Sequence, residues 1–156
     1  MTAKVLDHEV KIPIGSIQLE GTIGIPSNPK GMVVFAYGSG SSRLSPRNRF
    51  VAQVLRQAEL GTLLFDLFTE KEDIDHEARF EIDLLADRLV GATRWLMRQP
   101  DTQRLAISYF GASTGAAAAL QAAAEFGPAI GARSYRAVEG PIWRGLSCPA
   151  SHLPPC

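Results

Sequence analysis

Apolar and polar residues alternate over Glu9 to Pro13 and again over Ile17 to Ile25, with Gly15-Ser16 between them. A period of two predicts two half-buried strands, and the glycine break predicts a hairpin turn, with Val10, Ile12 and Ile14 on one strand and Ile17, Leu19 and Thr22 on the next. Pro26-Ser27-Asn28-Pro29 ends this unit. The pattern then changes to a continuous apolar run at 31–36 and to mainly apolar runs at 62–66 and 104–109, as expected of parallel strands covered on both faces. Between them the spacing turns helical. Asn48 to Ala58 carries Phe50, Val51, Val54 and Leu55 and is stopped by Gly61, while Ile82 to Gln99 carries Leu85, Leu89, Ala92, Trp95 and Leu96 and is closed by Pro100. Ala116 to Ala124 consists almost wholly of helix formers. The order is hairpin, then β-α-β-α-β-α, which predicts an α/β three-layer α/β/α sandwich. The 31–36 strand should be central and the hairpin should extend the sheet by antiparallel pairing.

The third parallel strand runs into Gly111-Ala112-Ser113-Thr114-Gly115. A G-x-S-x-G between strand and helix is the pattern of a nucleophile elbow. The flanking glycines remove Cβ atoms where strand and helix pack closely, and the serine hydroxyl projects at the helix N-terminus. There the backbone N–H of Thr114 can face a developing oxyanion, which the helix dipole also favours. The alternative is an ordinary βα turn whose serine caps the helix. The first parallel strand empties into Tyr37-Gly38-Ser39-Gly40-Ser41-Ser42-Arg43, too small and polar to be core. It lacks the Gly-Lys-Ser/Thr ending of a phosphate-binding P-loop, and a loop that brings an amide to an oxyanion fits better. Asp66 ends the second strand on the side where α/β sheets bind ligands, either as a functional acid or as a partner for loop amides.

Composition narrows the classes without adding chemistry. With 156 residues, 46% hydrophobic and 21% charged, the chain suits one soluble globular domain. Sixteen basic and sixteen acidic side chains cancel, so nothing points to nucleic acid or an anionic membrane. The first residues lack the apolar stretch of a signal peptide and no run is long enough to span a membrane, so a cytoplasmic location is expected. Cys148 and Cys156 show no metal-ligand spacing, and no motif implies a metal or another cofactor. The oligomeric state is left open.

Taken together, three stretches resemble the α/β-hydrolases, and within them the bacterial dienelactone-hydrolase-like proteins. These are the loop at 37–43 with Ser45-Pro46-Arg47-Asn48-Arg49-Phe50 after it, Leu63-Leu64-Phe65-Asp66-Leu67, and Tyr109 to Gly115. The resemblance covers roughly residues 4 to 131. It implies that Ser113 is the nucleophile and that the amides of Thr114 and of Ser39 or its neighbours form the oxyanion hole. Tyr37, Gly38 and Gly40 then line the substrate site of a hydrolase acting on a small ester, lactone or thioester. Tyr37 stands where relatives usually carry histidine, a change expected to alter loop packing more than chemistry. Dienelactone hydrolase proper uses cysteine at the elbow, so Ser113 favours a generic ester or thioester hydrolase.

The family's acid and histidine follow the serine in chain order. Here the alternation vanishes after Gly131, and 132–156 holds one acid, Glu139, and one histidine, His152. His8 and His76 precede the elbow. Residues 1–131 therefore read as the N-terminal part of an α/β-hydrolase domain that lacks its C-terminal strands, and 132–156 as an irregular, truncated or frame-slipped tail. An irregular tail leaves the 104–109 strand as a sheet edge. Two functions stay open: a serine hydrolase, and a remnant that binds small ligands without turnover.

Overall fold

A computed structural model of the chain describes residues 6–37, 42–69, 82–112, 114–127, 130 and 135–137. Among these residues one mixed sheet contains β1 (Leu6–Ile14), β2 (Ile17–Ile25), β3 (Met32–Ala36), β4 (Gly61–Phe65), β5 (Ile107–Ala112) and β6 (Tyr135–Ala137), in the spatial order β1-β2-β4-β3-β5-β6. The helices are α1 (Pro46–Gln57), α2 (Ile82–Arg98) and α3 (Thr114–Phe126). β1 and β2 form the expected hairpin, closing at Ile14↔Ile17 with Gly15 at φ +59° in the turn. β2 joins β4 antiparallel, and β3 lies between β4 and β5, parallel to both.

Every residue of β3 and β4 is buried, which explains why their sequences are apolar but for Thr62. Alternation within each strand still divides the side chains between two helical layers. Thr62 accepts a hydrogen bond from Arg56 Nη1 of α1 at 3.2 Å, whereas the Tyr109 hydroxyl meets Thr93 Oγ1 of α2 at 2.6 Å. Leu63, Phe65, Leu85, Leu89 and Leu96 are wholly enclosed. Each such side chain stabilises the fold by about 1.5–3 kcal/mol relative to exposure.

The details depart from the sequence reading where local chemistry decides. α1 starts at Pro46, whose missing N–H is harmless in a first turn, and it ends through Glu59 at φ +66°; Gly61 belongs to β4. β5 begins at Ile107 and not at 104, because the chain after α2 winds through turns closed by Gln103 N to Gln99 O and Leu105 N to Thr102 O. It then continues past 109, since β3 goes on pairing with it through Phe35↔Phe110 and Ala36↔Gly111. Trp95 is partly buried, packed against the core and not within it.

The expectation of an irregular tail needs correcting at three residues. Tyr135–Ala137 forms β6, parallel to β5 through Phe110↔Tyr135 to Ala112↔Ala137. Such pairing requires only backbone N–H and C=O groups, which the open edge of β5 supplies without any side-chain alternation. The rest of 132–156 lies outside the described residues.

Candidate active site

β5 ends at Ala112 and α3 begins at Thr114, so strand gives way to helix across one residue. The packing at this junction shows why glycine stands on both sides of position 113. A Cβ on Gly111 would lie 2.8 Å from Ala116 Cα and 3.0 Å from the Gly115 carbonyl oxygen. One on Gly115 would overlap the carbonyl oxygen of Ala36 and lie 2.5 Å from its carbon and 2.9 Å from Tyr37 N. All of these neighbours are backbone atoms, which have little freedom to yield. A helix-capping serine in an ordinary turn needs no such pair of glycines. The first turn of α3 therefore rests on the end of β3, against Ala36 and Tyr37.

That loop is fastened to the end of β4. Tyr37 is buried and its hydroxyl donates to the Phe65 carbonyl oxygen; burial first, and the Asp66 carboxylate second, raise its pKa well above the ordinary tyrosine value. Arg43 donates its backbone N–H to Asp66 Oδ1 at 2.9 Å and Nη1 to Asp66 Oδ2 at 2.8 Å. The Asp66 N–H in turn donates to the Glu20 carbonyl oxygen at 2.9 Å. Asp66 thus answers the structural alternative, a carboxylate that holds a loop amide. The ends of β3, β4 and β5 all lie at the same edge of the sheet, the side on which parallel α/β sheets place their ligands.

No protein-family model matches the chain. Comparison with solved structures finds dienelactone hydrolase from Anabaena variabilis at 51% identity and a TM-score of 0.75, over 83% of this chain and 64% of that one. The fold is that of the α/β-hydrolases. A dienelactone-hydrolase-like promiscuous phosphotriesterase from metagenomic libraries shares this hydrolase fold at 17% identity and a TM-score of 0.60, over 80% of this chain and 56% of its own. Among curated proteins, a protein of Mycobacterium tuberculosis provisionally named a phosphoribosyl transferase is 54% identical over 119 residues, 76% of this chain and 27% of that protein. The chain thus spans just under two thirds of the Anabaena enzyme and about a quarter of the mycobacterial protein.

Within this dienelactone-hydrolase-like frame, the residues expected at the site fall into three groups. Ser113, Gly38, Ser39 and Gly40 lie outside the described residues. Thr114 opens α3, where its N–H is among those with no intrahelical partner; its Oγ1 is buried and has no hydrogen-bond partner among the described residues. Tyr37, expected to line the substrate site, is buried beside Gly115, with its hydroxyl donated to the Phe65 carbonyl oxygen.

His76, His152 and Glu139 also lie outside the described residues. His8 is on β1, four strand positions from β5, or about 19 Å at ~4.8 Å per strand. It lines a cleft of about 490 Å³ between α1 and the hairpin, together with Asp7, Arg49, Phe50, Gln53 and Arg56, and among the described residues none of the elbow borders that cleft. Arg43 is the contributor the sequence reading passed over. Its partners, Glu9, Glu20 and Asp66, come from three separate strands or strand ends, and no local spacing reveals such pairings.

Proposed function

We propose that residues 1–131 carry the N-terminal part of a hydrolase domain that cleaves a small ester, lactone or thioester through an acyl-enzyme on Ser113. The observation that carries this reading is the pair of glycines whose Cβ atoms backbone would exclude, at the junction between β5 and α3. Such a junction suits a serine hydroxyl held in a strained turn above the sheet. The Ser113 oxygen attacks the acyl carbon, its proton passes through a general base to the leaving alkoxide or thiolate as the acyl–oxygen or acyl–sulfur bond breaks, and water then hydrolyses the acyl-enzyme to the free acid. The oxyanion is received by the Thr114 amide and by an amide of the 37–43 loop, with Ser39 the expected donor. Gly38 and Gly40 leave room for substrate beside that loop. The likeness to dienelactone hydrolase at 51% identity supports the reaction class. The transferase name belongs to a protein of which this chain matches 27%, and here the matching segment takes the hydrolase fold.

A serine needs a positioned base, worth roughly 10²–10⁴-fold in rate. The histidine among the described residues, His8, lies far along the sheet from the elbow. A second reading is a site that binds small acyl compounds and turns them over slowly or not at all. Fluorophosphonate labelling with mass-spectrometric localisation, beside p-nitrophenyl butyrate hydrolysis, separates the two. Slow labelling of Ser113, absent in Ser113→Ala, is expected. Labelling that persists in Ser113→Ala would refute the assignment of the nucleophile.

A further inference from the structure

β1 ends the sheet on one side: β2 pairs with its inner edge along the whole strand, and no strand among the described residues pairs with its outer edge. The direction of its backbone groups follows from a bond on the far side of β2. The Asp66 N–H donates to the Glu20 carbonyl oxygen at 2.9 Å, so the backbone groups of Glu20 turn towards β4 and away from β1. Residues opposite each other in an antiparallel pair alternate between exchanging hydrogen bonds and turning away from each other. Lys11, opposite Glu20, therefore turns its N–H and C=O to the outer edge, and at steps of two residues so do Asp7, Glu9 and the Pro13 carbonyl. A proline at such a place costs no bond with β2, as an edge strand allows.

Charge on an open edge selects what can pair with it. Asp7 meets Arg56 of α1 at 3.2 Å, so Asp7, Glu9 and Lys11 share the face towards α1, while Ile14 lies on the other face, against Gly91 of α2. The Glu9 side chain is 65% exposed although Thr22 and Arg43 both bond to it, and Lys11 is exposed with no ion pair among the described residues. A second β1, running antiparallel, can meet this edge in registers that differ by two residues. Those that set Glu9 against Glu9, or Lys11 against Lys11, bring like charges together. The register centred on Val10 sets Glu9 against Lys11 of the second copy and Lys11 against its Glu9, and each of these pairs exchanges two backbone hydrogen bonds. Val10, which packs against the core, then faces its own copy across the axis. Only Pro13, opposite Asp7, withholds a donor. Arg43 improves the fit, because it faces the three carboxylates of Glu9, Glu20 and Asp66, so an ammonium arriving beside Glu9 meets an excess of negative charge. We propose that β1 is a self-recognition edge through which two copies of this chain pair, antiparallel and centred on Val10, joining their sheets into one. The contact is one strand wide, so the dimer dissociates on dilution.

Sedimentation velocity over a concentration series tests this in the full chain, with Lys11→Glu, Glu9→Lys, an equimolar mixture of the two, and Lys11→Pro. Wild type should pass from monomer to dimer as concentration rises. Lys11→Glu sets acid against acid twice in each dimer, and Glu9→Lys sets base against base twice. Each variant alone should therefore dimerise about 10–10²-fold more weakly. The mixture restores both opposite pairs and should recover the wild-type association, which a dimer in any other register would not do. Lys11→Pro removes an N–H that β2 does not use, so it should abolish the dimer while far-UV circular dichroism shows the fold retained. Hydrogen–deuterium exchange supplies a local readout. Amides of β1 should exchange more slowly as the wild-type concentration rises, and those of Lys11→Glu should not.

A wild-type chain that stays monomeric throughout, with β1 amides indifferent to concentration, overturns the proposal. So does a dimer that survives both Lys11→Glu and Lys11→Pro, because it must use another surface, and a mixture that fails to recover refutes the register. If Glu9→Lys does not fold, Lys11→Glu and Lys11→Pro decide the question by sedimentation and exchange.

Discussion

Replacing Gly115 by alanine tests the packing of α3 against the end of β3. The new methyl carbon would overlap the Ala36 carbonyl oxygen and lie 2.5 Å from its carbon, roughly 1 Å inside ordinary carbon contact. β3 cannot retreat, because it is hydrogen-bonded to β4 on one side and β5 on the other. The start of α3 must therefore move. Overpacking of this kind costs about 1–3 kcal/mol, and a backbone obstacle places it near 3; alanine's better helix propensity returns about 1 kcal/mol. The net loss is about 2 kcal/mol, which for a chain of this length lowers Tm by about 4–8 °C.

The same shift displaces the Thr114 amide, so labelling of Ser113 should fall by about 10²-fold. Gly91→Ala is the control. It sits in α2, and its Cβ would meet the side-chain atoms of Ile14 at 2.9–3.1 Å, which can turn aside. It should melt within about 1 kcal/mol of wild type, helped by the same propensity gain. Thermal melts and labelling rates for both variants decide the matter. A Gly115→Ala chain that melts and labels like wild type would show that α3 does not rest on β3 as described.

Two further outcomes follow from buried polar groups. Thr114→Val removes a buried hydroxyl with no partner among the described residues while keeping its shape, so stability should rise by about 1 kcal/mol in urea unfolding; a loss would mean that the hydroxyl is satisfied beyond those residues. The Tyr109 phenol is pushed up to about 12 by burial, with the Glu125 carboxylate adding to the shift and the Thr93 hydroxyl opposing it. Between pH 10 and 12 the unfolded chain therefore gives up this proton while the folded chain keeps it. The stabilisation is complete below about pH 10 and is lost as pH rises towards 12, and Tyr109→Phe should flatten that part of the curve of stability against pH.

The elements themselves were legible because their signals are local. The hairpin follows from period-two alternation around Gly15, β3 follows from an unbroken apolar run, and β4 from a run that is apolar but for Thr62. The elbow followed from two glycines four residues apart, whose steric reason the packing against Ala36 and Ala116 supplies. What escaped the reading was long-range or carried by backbone alone. Arg43 meets Glu9, Glu20 and Asp66 across 23 to 34 residues of sequence, so neither end of any pair announces the other. β6 forms through hydrogen bonds that do not depend on side-chain type, and its three residues show no strand pattern. The turn after α2 shifted β5 because Thr102, a polar residue with its hydroxyl on the Leu96 carbonyl at 2.6 Å, is enclosed there.

The alanines of α3 carry a consequence for how such a chain can diversify. Ala118, Ala119 and Ala122 are wholly enclosed and Ala123 nearly so, which means that the helix lies low on the sheet with no room for a larger side chain. Each methylene added there must displace packed atoms, at about 1–3 kcal/mol for overpacking. Leu120, on the opposite side of the same helix, is 60% exposed and meets no such limit. Mutational libraries aimed at a new substrate would therefore lose most members if they varied the inner face of α3. They would keep folded members if they varied the outer face around Leu120, so this helix can change on its solvent side far more readily than on the side it lays against the sheet.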